Sequence, residues 1–257
     1  MKKEYKNLIR FNSIMGFLHF IQAVTMLFLA TTVIEKIGEF KPLIVQNYLK
    51  FNIVLKTLEP ATRELFNLPF GILVASFLFI SALAHFIIVI NKDKYVKDLE
   101  KGINKFRWFE YALSSSIMIT LIATLFGVYD IASLILIFVL NAIMNIFGLI
   151  MEEMNVGNKK IKWSPFIYGS IAGITPWIVI LIYMFGTGNF DLVPWFVWAI
   201  IATYFVFFNL FPINMYLQYK KLGKWKDYLY GERVYIILSL VAKTILAWLV
   251  LFGAMQP

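Results

Sequence analysis

Two ionisable side chains stand within long apolar stretches of this sequence. Lys243 lies in the segment Ser239–Trp248, and Glu110 lies in the segment Arg107–Ser116. A buried lysine amine suits Schiff-base chemistry with a carbonyl compound, and an iminium cation in an apolar interior needs a carboxylate counterion. An ionisable residue inside a membrane is a functional-site candidate by default. We therefore predict a reactive lysine–glutamate pair; the alternative is a buried salt bridge that locks two helices together.

The segments that carry this pair are two of seven apolar runs. Each run reaches the ~20 residues that an α-helix needs to cross about 30 Å of hydrocarbon. The fold class predicted is an all-α membrane protein, a seven-helix bundle that forms a single domain over residues 1–257. The predicted spans are Leu8–Val33, Pro69–Asn91, Phe106–Phe126, Ile131–Met154, Ser164–Phe185, Leu192–Tyr219 and Gly231–Gly253.

Composition supports this class and excludes others. The 257 residues are 60% hydrophobic and 15% charged, whereas soluble domains carry roughly 25% charged residues. With a mean hydropathy of +0.75, the chain is predicted to be neither a soluble domain nor a nucleic-acid module. It has no cysteine and two histidines, so we expect no disulfide, no thiol nucleophile and no metal site. We also expect that the chain is not an enzyme.

Basic residues sort between the two ends of the predicted bundle and give its orientation. Eighteen Lys and Arg flank the spans on the face that carries the N-terminus, and five lie in the long first loop opposite. The other two connections on that opposite face offer only Asp130 and Asp191. The positive-inside rule places the N-terminus in the cytoplasm and the C-terminus outside. The net charge of +9 then reflects topology, and we expect no nucleic-acid partner.

Lys243 and Glu110 are predicted to be the two charged residues inside the membrane, at one depth. Glu110 is about 8 Å along its helix from Lys105, and Lys243 is about 15 Å from Arg233. The lysine stem, roughly 6 Å long, leans back toward the cytoplasmic end, so its nitrogen reaches the level of the carboxylate. Ser239 lies one turn earlier on the same helix face as Lys243.

The long first loop, residues 35–68, carries its own pattern. Its stretch from Leu43 to Leu55 contains β-branched and aromatic residues in partial alternation. This predicts a β-hairpin at the outer membrane surface, with an irregular loop as the alternative.

The two motifs, together with the orientation, give the chain a specific resemblance. Arg107-Trp-Phe-Glu110-Tyr111 with Ser114 and Ser115, and Ser239-Leu-Val-Ala-Lys243 through Trp248, resemble the heliorhodopsins, a branch of retinal proteins with inverted topology. The resemblance covers essentially the whole chain, including the long first loop. It implies all-trans retinal as the cofactor, a plasma-membrane location and a homodimer.

The resemblance also implies a role for individual residues. Lys243 would hold retinal as a Schiff base, Glu110 would be its counterion, and Ser239 would be a nearby hydrogen-bonding partner. A polar cavity on the cytoplasmic side would contain Ser81, His85, His19 and Gln22. For each histidine, the alternative is a buried side chain bonded within the core. The residues expected to line the chromophore slot are Tyr111, Ser114, Ser115, Met118, Asn141, Trp177, Tyr183, Phe208, Phe211 and Trp248.

The function expected is light sensing, with photoisomerisation of retinal from all-trans to 13-cis, a slow photocycle and an unidentified signalling partner on the cytoplasmic side. A light-driven proton pump is a less favoured alternative, because the position three turns after Glu110 is Leu121 and offers no proton donor. Passive light-gated conduction stays open. A membrane transporter without retinal is the alternative from another class.

Overall fold

The computed structural model describes residues 2–33, 41–186, 188, 193 and 195–253. Asp191, the start of the sixth predicted span and the chain's C-terminal end lie outside the described residues. The helices are α1 (Lys3–Phe28, followed by a π-helical turn Leu29–Val33), α2 (Phe70–Ile90), α3 (Lys92–Glu100), α4 (Lys105–Leu125), α5 (Ile131–Asn155), α6 (Ser164–Phe185), α7 (Trp195–Tyr219) and α8 (Tyr228–Gly253). Two strands, β1 (Leu43–Asn52) and β2 (Thr57–Asn67), and a 3₁₀ turn (Gly223–Lys226) complete the described elements.

Seven of these helices are long and apolar enough to span a membrane within the described part of the chain. They are α1, α2 and α4–α8, which agrees with the seven spans predicted and with a seven-helix bundle. The largest difference at a helix start is in α1, which begins at Lys3 rather than Leu8, and α8 begins at Tyr228 rather than Gly231. The earlier start of α8 adds Tyr228 to the helix, and Glu232, already inside the predicted span, follows one turn later.

The short helix α3 was not predicted. Its sequence is mostly charged, but Tyr95 and Leu99 are one turn apart and are buried together. They pack against Leu8 of α1 and Leu229 of α8. Helix α3 is therefore an amphipathic connection whose single apolar face closes one end of the bundle.

The first long loop forms a two-stranded antiparallel sheet. Strand β1 pairs with β2 from Leu43↔Asn67 to Asn52↔Thr57, with a register shift at Ile44/Val45. The partner strand, Thr57–Asn67, lies beyond the stretch that the alternation singled out. The sheet is attached to the bundle at the start of α5, where the Val45 N–H donates to the Tyr129 carbonyl at 3.0 Å.

The bundle interior changes character along α8. Near its start, Glu232 is fully buried among charged groups; in the middle, Ser239 and Lys243 are buried among polar groups. Toward its end, Leu246, Val250 and Leu251 join the largest apolar cluster, with Met26, Leu78 and Ile122. The structure therefore has three levels: a charged end, a polar middle and an apolar half.

Candidate functional site

The polar middle brings Lys243 and Glu110 into contact. Lys243 Nζ of α8 donates to Glu110 Oε1 of α4 at 2.5 Å and to Ser81 Oγ of α2 at 2.6 Å. The Ser81 hydroxyl is also 2.7 Å from the same carboxylate oxygen. Three helices thus supply one compact group, as the depths of the two charges predicted.

This group is shielded from solvent. The side chains of Lys243 and Glu110 are 4% and 7% exposed. Desolvation of both charges cancels most of their attraction, so a buried ion pair contributes little net stability. Such a pair is, however, suited to holding a cationic nitrogen next to a fixed negative charge.

The two histidines lie beside the pair. Their rings stack with centroids 5.6 Å apart and an interplanar angle of 15°. His85 Nδ1 is bonded to Asn12 Oδ1 at 2.8 Å, whereas neither ring nitrogen of His19 has a partner among the described residues. Gln22 instead accepts a hydrogen bond from Thr244 at 2.9 Å, one residue beyond Lys243.

A small cavity adjoins this polar group. Its volume is about 30 Å³, and its lining includes Ser81, His85, Glu110 and Ser239. A polar cavity of this size is large enough for one or two water molecules. The predicted bond from Ser239 to Lys243 is not formed, because the buried Ser239 hydroxyl has no partner in the part of the chain that the structure describes.

A second, larger cavity opens on the other side of Lys243. It has a volume of about 280 Å³, and its lining is dominated by aromatic side chains. Of the predicted slot residues, the structure places six along it: Tyr111, Ser115, Met118, Trp177, Phe208 and Phe211. An apolar cavity with a single amine suits a long apolar ligand that carries one carbonyl group, so the residues present fit retinal.

Four predicted slot residues lie elsewhere. Asn141 stands behind the wall, where its amide donates to Ser115 Oγ at 2.7 Å. Ser114 is fully buried on α4, Trp248 packs against the apolar cluster, and Tyr183 is 38% exposed. For each of these, the family pattern gave the helix but not the direction of the side chain.

The sequence reasoning missed several cavity residues. Trp108 lies along the cavity together with Tyr111, Ser115 and Met118. These four positions are spaced by three and four residues, which is the signature of one helix face. That periodicity could have identified Trp108. The same spacing joins Tyr204 and Met215 to the predicted Phe208 and Phe211 of α7, so it could have identified them too. Met144 of α5 had no predicted cavity residue at that spacing that lines the cavity.

The prediction of only two intramembrane charges is wrong. Arg107, Glu152 and Glu232 are buried within α4, α5 and α8, with side-chain exposures of 4%, 2% and 0%. The charge distribution used for orientation includes Arg107 among the basic residues that flank the spans. Glu152 and Glu232 lie inside the predicted spans, so their sequence positions alone could have identified them as buried charges.

These three residues form a charged cluster. The Arg107 guanidinium donates one N–H to Glu152 Oε1 and another to Glu232 Oε1. Glu152 Oε2 accepts from the Asn104 N–H at 2.8 Å and from Trp108 Nε1 at 2.7 Å. Glu232 Oε2 accepts from the Asn104 side-chain amide at 2.8 Å. The cluster joins three spanning helices at the charged end of the bundle.

The described residues contain no group of three His, Cys, Asp or Glu side chains arranged to hold a metal ion.

Comparison with known proteins gives one match over nearly the whole chain. A family model described as Heliorhodopsin matches residues 8–255. No curated protein sequence shows significant similarity to the chain. The matched range includes every residue of the site described above.

Proposed function

This chain belongs to the heliorhodopsin family of retinal-binding, rhodopsin-like photoreceptors, and we propose that it is a light sensor in which Lys243 holds retinal as a Schiff base. It is a multi-pass membrane protein with seven spanning helices. Glu110 serves as counterion in this proposal, and the polar groups around Ser81 and His85 take part in the response to light.

One observation carries the proposal. Lys243 lies along the large aromatic cavity and, through its nitrogen, contacts Glu110 at 2.5 Å. A carbonyl compound inside the cavity can therefore reach the amine, while the resulting cationic nitrogen keeps a carboxylate partner. A lysine buried only as a structural ion pair has no reason to face a cavity of this size.

Bound retinal supplies light absorption and a change of shape from all-trans to 13-cis. The chain's own residues do the rest. Glu110 stabilises positive charge on the Lys243 nitrogen, and Ser81 hydrogen-bonds both groups. The aromatic walls exclude water from the polyene. A change of position or charge at Lys243 alters these hydrogen bonds directly.

Sensing is favoured over pumping because of the apolar half of the bundle. Beyond Lys243, the described residues of α8 carry no ionisable side chain, and they pack into the largest apolar cluster. A proton that leaves Lys243 therefore meets no ionisable side chain among the described residues farther along α8. We propose no enzymatic activity, a cytoplasmic signalling partner and a homodimer as parts of the same function. A non-retinal transporter is the competing proposal.

The test is a visible absorption spectrum after all-trans retinal is added to the purified protein. We expect a red-shifted band in the parent protein and in Thr244→Ala, the matched control one residue away, but none in Lys243→Ala. Borohydride reduction under illumination should then leave the retinyl group on the peptide that contains Lys243. A transporter without retinal gives no band, and a label on another lysine contradicts the assignment.

A further inference from the structure

The cluster of Arg107, Glu152 and Glu232 has unequal numbers of opposite charges. One guanidinium faces two carboxylates, and all three side chains are at most 4% exposed. If both carboxylates were ionised, the cluster would carry one uncompensated negative charge in a water-poor interior. Such a charge is costly, and a buried carboxyl group avoids the cost by taking up a proton.

No other cation nearby compensates the surplus. Five tyrosines face the cluster: Tyr228 and Tyr235 from α8, Tyr219 from α7, Tyr95 from α3 and Tyr111 from α4. Lys105 is paired with Glu153 at 2.7 Å. The tyrosines add no positive charge, and among the described residues the ion pairs of Glu152 and Glu232 are with Arg107 alone.

The charges also oppose the helix dipoles at two of three positions. Arg107 lies in the first turn of α4 and Glu152 in the last turn of α5. A cation at a helix N-terminus and an anion at a C-terminus are both disfavoured. Arg107 and Glu152 therefore do not stabilise their own helices. Their position is better explained by the interactions that they make with each other and with Glu232.

The cluster is connected with the Lys243 site. Arg107 and Asn104 line the same 30 Å³ cavity as Glu110, Ser81 and Ser239. Arg107 Nε is buried and has no acceptor among the residues that the structure describes. The cavity is large enough for a water molecule, which could accept from this N–H and carry a proton between the two groups.

We propose that Glu152 and Glu232 together bind one proton in the dark and that this proton-binding site responds to the charge on Lys243. The inference rests on the proposed function for its light-dependent part only. With the proton bound, the cluster is neutral and holds α4, α5 and α8 together. When the proton leaves for water at the charged end of the bundle, one net negative charge stays behind, and the carboxylates of α5 and α8 repel each other across Arg107.

The coupling has a defined sign. When the Lys243 nitrogen passes its proton to an acceptor outside the shared cavity, the positive charge beside the cavity is lost and Glu110 stays negative on it. The more negative surroundings favour retention of the cluster's proton. The pH at which the cluster releases its proton should therefore rise in the light state.

The first test needs neither light nor retinal. Infrared spectra of the folded protein at neutral pH should contain the C=O stretch of one protonated carboxylic acid, although exposed Asp and Glu are ionised there. Raising the pH should remove it. The signal should be absent in Glu152→Gln or Glu232→Gln and retained in Glu153→Gln, the exposed neighbour that serves as matched control. Because a variant can fail to fold, the parent protein grown with ¹³C-glutamate provides a second measurement. If a glutamic acid carries the proton, the C=O band must shift in the labelled protein.

The second test uses retinal-bound protein. Light-minus-dark infrared spectra should show a change in the same carboxylic-acid band, lost with either Gln variant. An identical band in all variants, or no band in the parent protein, overturns the proton-binding site. A dark band without a light-induced change overturns the coupling. If the visible band is missing while the dark infrared band is present, the proposed function fails and the proton-binding site stands.

Discussion

At the scale of single residues, the proposed Schiff-base chemistry depends on two different surroundings of the Lys243 nitrogen. One side meets Glu110 and Ser81, and the other meets the aromatic cavity, with the Tyr111 ring centroid 5.3 Å from Nζ. The nitrogen is therefore held by charge and by a π-face, while the path to a ligand stays open.

Replacing the counterion tests this arrangement directly. In retinal-bound Glu110→Gln, the nitrogen loses the carboxylate that stabilises its protonated form, and each tenfold change in proton affinity corresponds to about 1.4 kcal/mol. We expect a shifted visible band and loss of the Schiff-base proton at a lower pH than in the parent. The measurement is a pH titration of the visible spectrum. A titration equal to that of the parent excludes Glu110 as counterion.

At the scale of elements, the contact between α4 and α5 depends on a missing side chain. A Cβ at Gly148 of α5 would lie 2.3 Å from Cζ3 of Trp108, whose indole N–H also holds Glu152. A Cβ at Gly173 of α6 would lie equally close, 2.3 Å, to Met144 Sδ. The indole ring is rigid and the thioether is flexible, so equal clashes should have unequal costs.

This pair of glycines gives a matched prediction. Gly148→Ala should lower the free energy of unfolding by about 1–3 kcal/mol, because Trp108 must move and loses its bond to Glu152. Gly173→Ala should cost less than about 1 kcal/mol, because Met144 can change rotamer. Denaturant unfolding of the retinal-free protein in detergent measures both. Equal losses would show that Trp108 is not held rigidly.

The β-sheet is attached to the bundle through Asp130, the N-cap of α5. Its carboxylate accepts from the Ser133 N–H at 3.0 Å and from the Asn47 N–H of β1 at 3.2 Å. Burial alone would raise the pKa of Asp130, but these hydrogen bonds outweigh burial and hold the pKa below its ordinary value. One carboxylate thus caps a helix and fixes a strand.

Removing that carboxylate should loosen the sheet. Asp130→Ala should lower the free energy of unfolding by about 1 kcal/mol, the usual cost of a lost N-cap, and should speed amide exchange in β1. Because the folded pKa is depressed, the contribution is complete above about pH 4 and disappears as pH falls through the folded pKa. Hydrogen exchange at neutral and acidic pH measures this. Unchanged exchange at Val45 and Asn47 in the variant would contradict the attachment.

At the scale of the whole molecule, orientation follows from charge and can be tested in a chain without cysteine. Single cysteines at Arg63 of β2 and at Lys159, between α5 and α6, occupy exposed positions on opposite faces. With the N-terminus inside, a membrane-impermeant thiol reagent should label Arg63→Cys in intact cells and Lys159→Cys only after permeabilisation. The reverse pattern overturns the orientation.

The apolar half of the bundle gives a second prediction at this scale. Illuminated vesicles should show no sustained, uncoupler-sensitive pH change, because a proton leaving Lys243 meets no ionisable side chain among the described residues farther along α8. Flash absorption on the same sample should still show a slow photocycle. A steady proton flux that disappears in Lys243→Ala would establish a pump instead.

The sequence by itself determined the seven spans, the basic asymmetry and the two residues of the central pair. These follow from local rules: span length, charge at span ends and the cost of a buried ionisable group. The family resemblance, now supported over residues 8–255, came from the motifs around Glu110 and Lys243.

Only the tertiary structure decided which side chains face each other. Glu152 and Glu232 are 80 residues apart in sequence, and their meeting at Arg107 depends on how α4, α5 and α8 pack. The same holds for Asn141, which lies behind the cavity wall, and for α3, whose two apolar residues become a buried face only against α1 and α8. Helical periodicity fixes the angle between residues on one helix, but the rotation of each helix in the bundle is set by its neighbours.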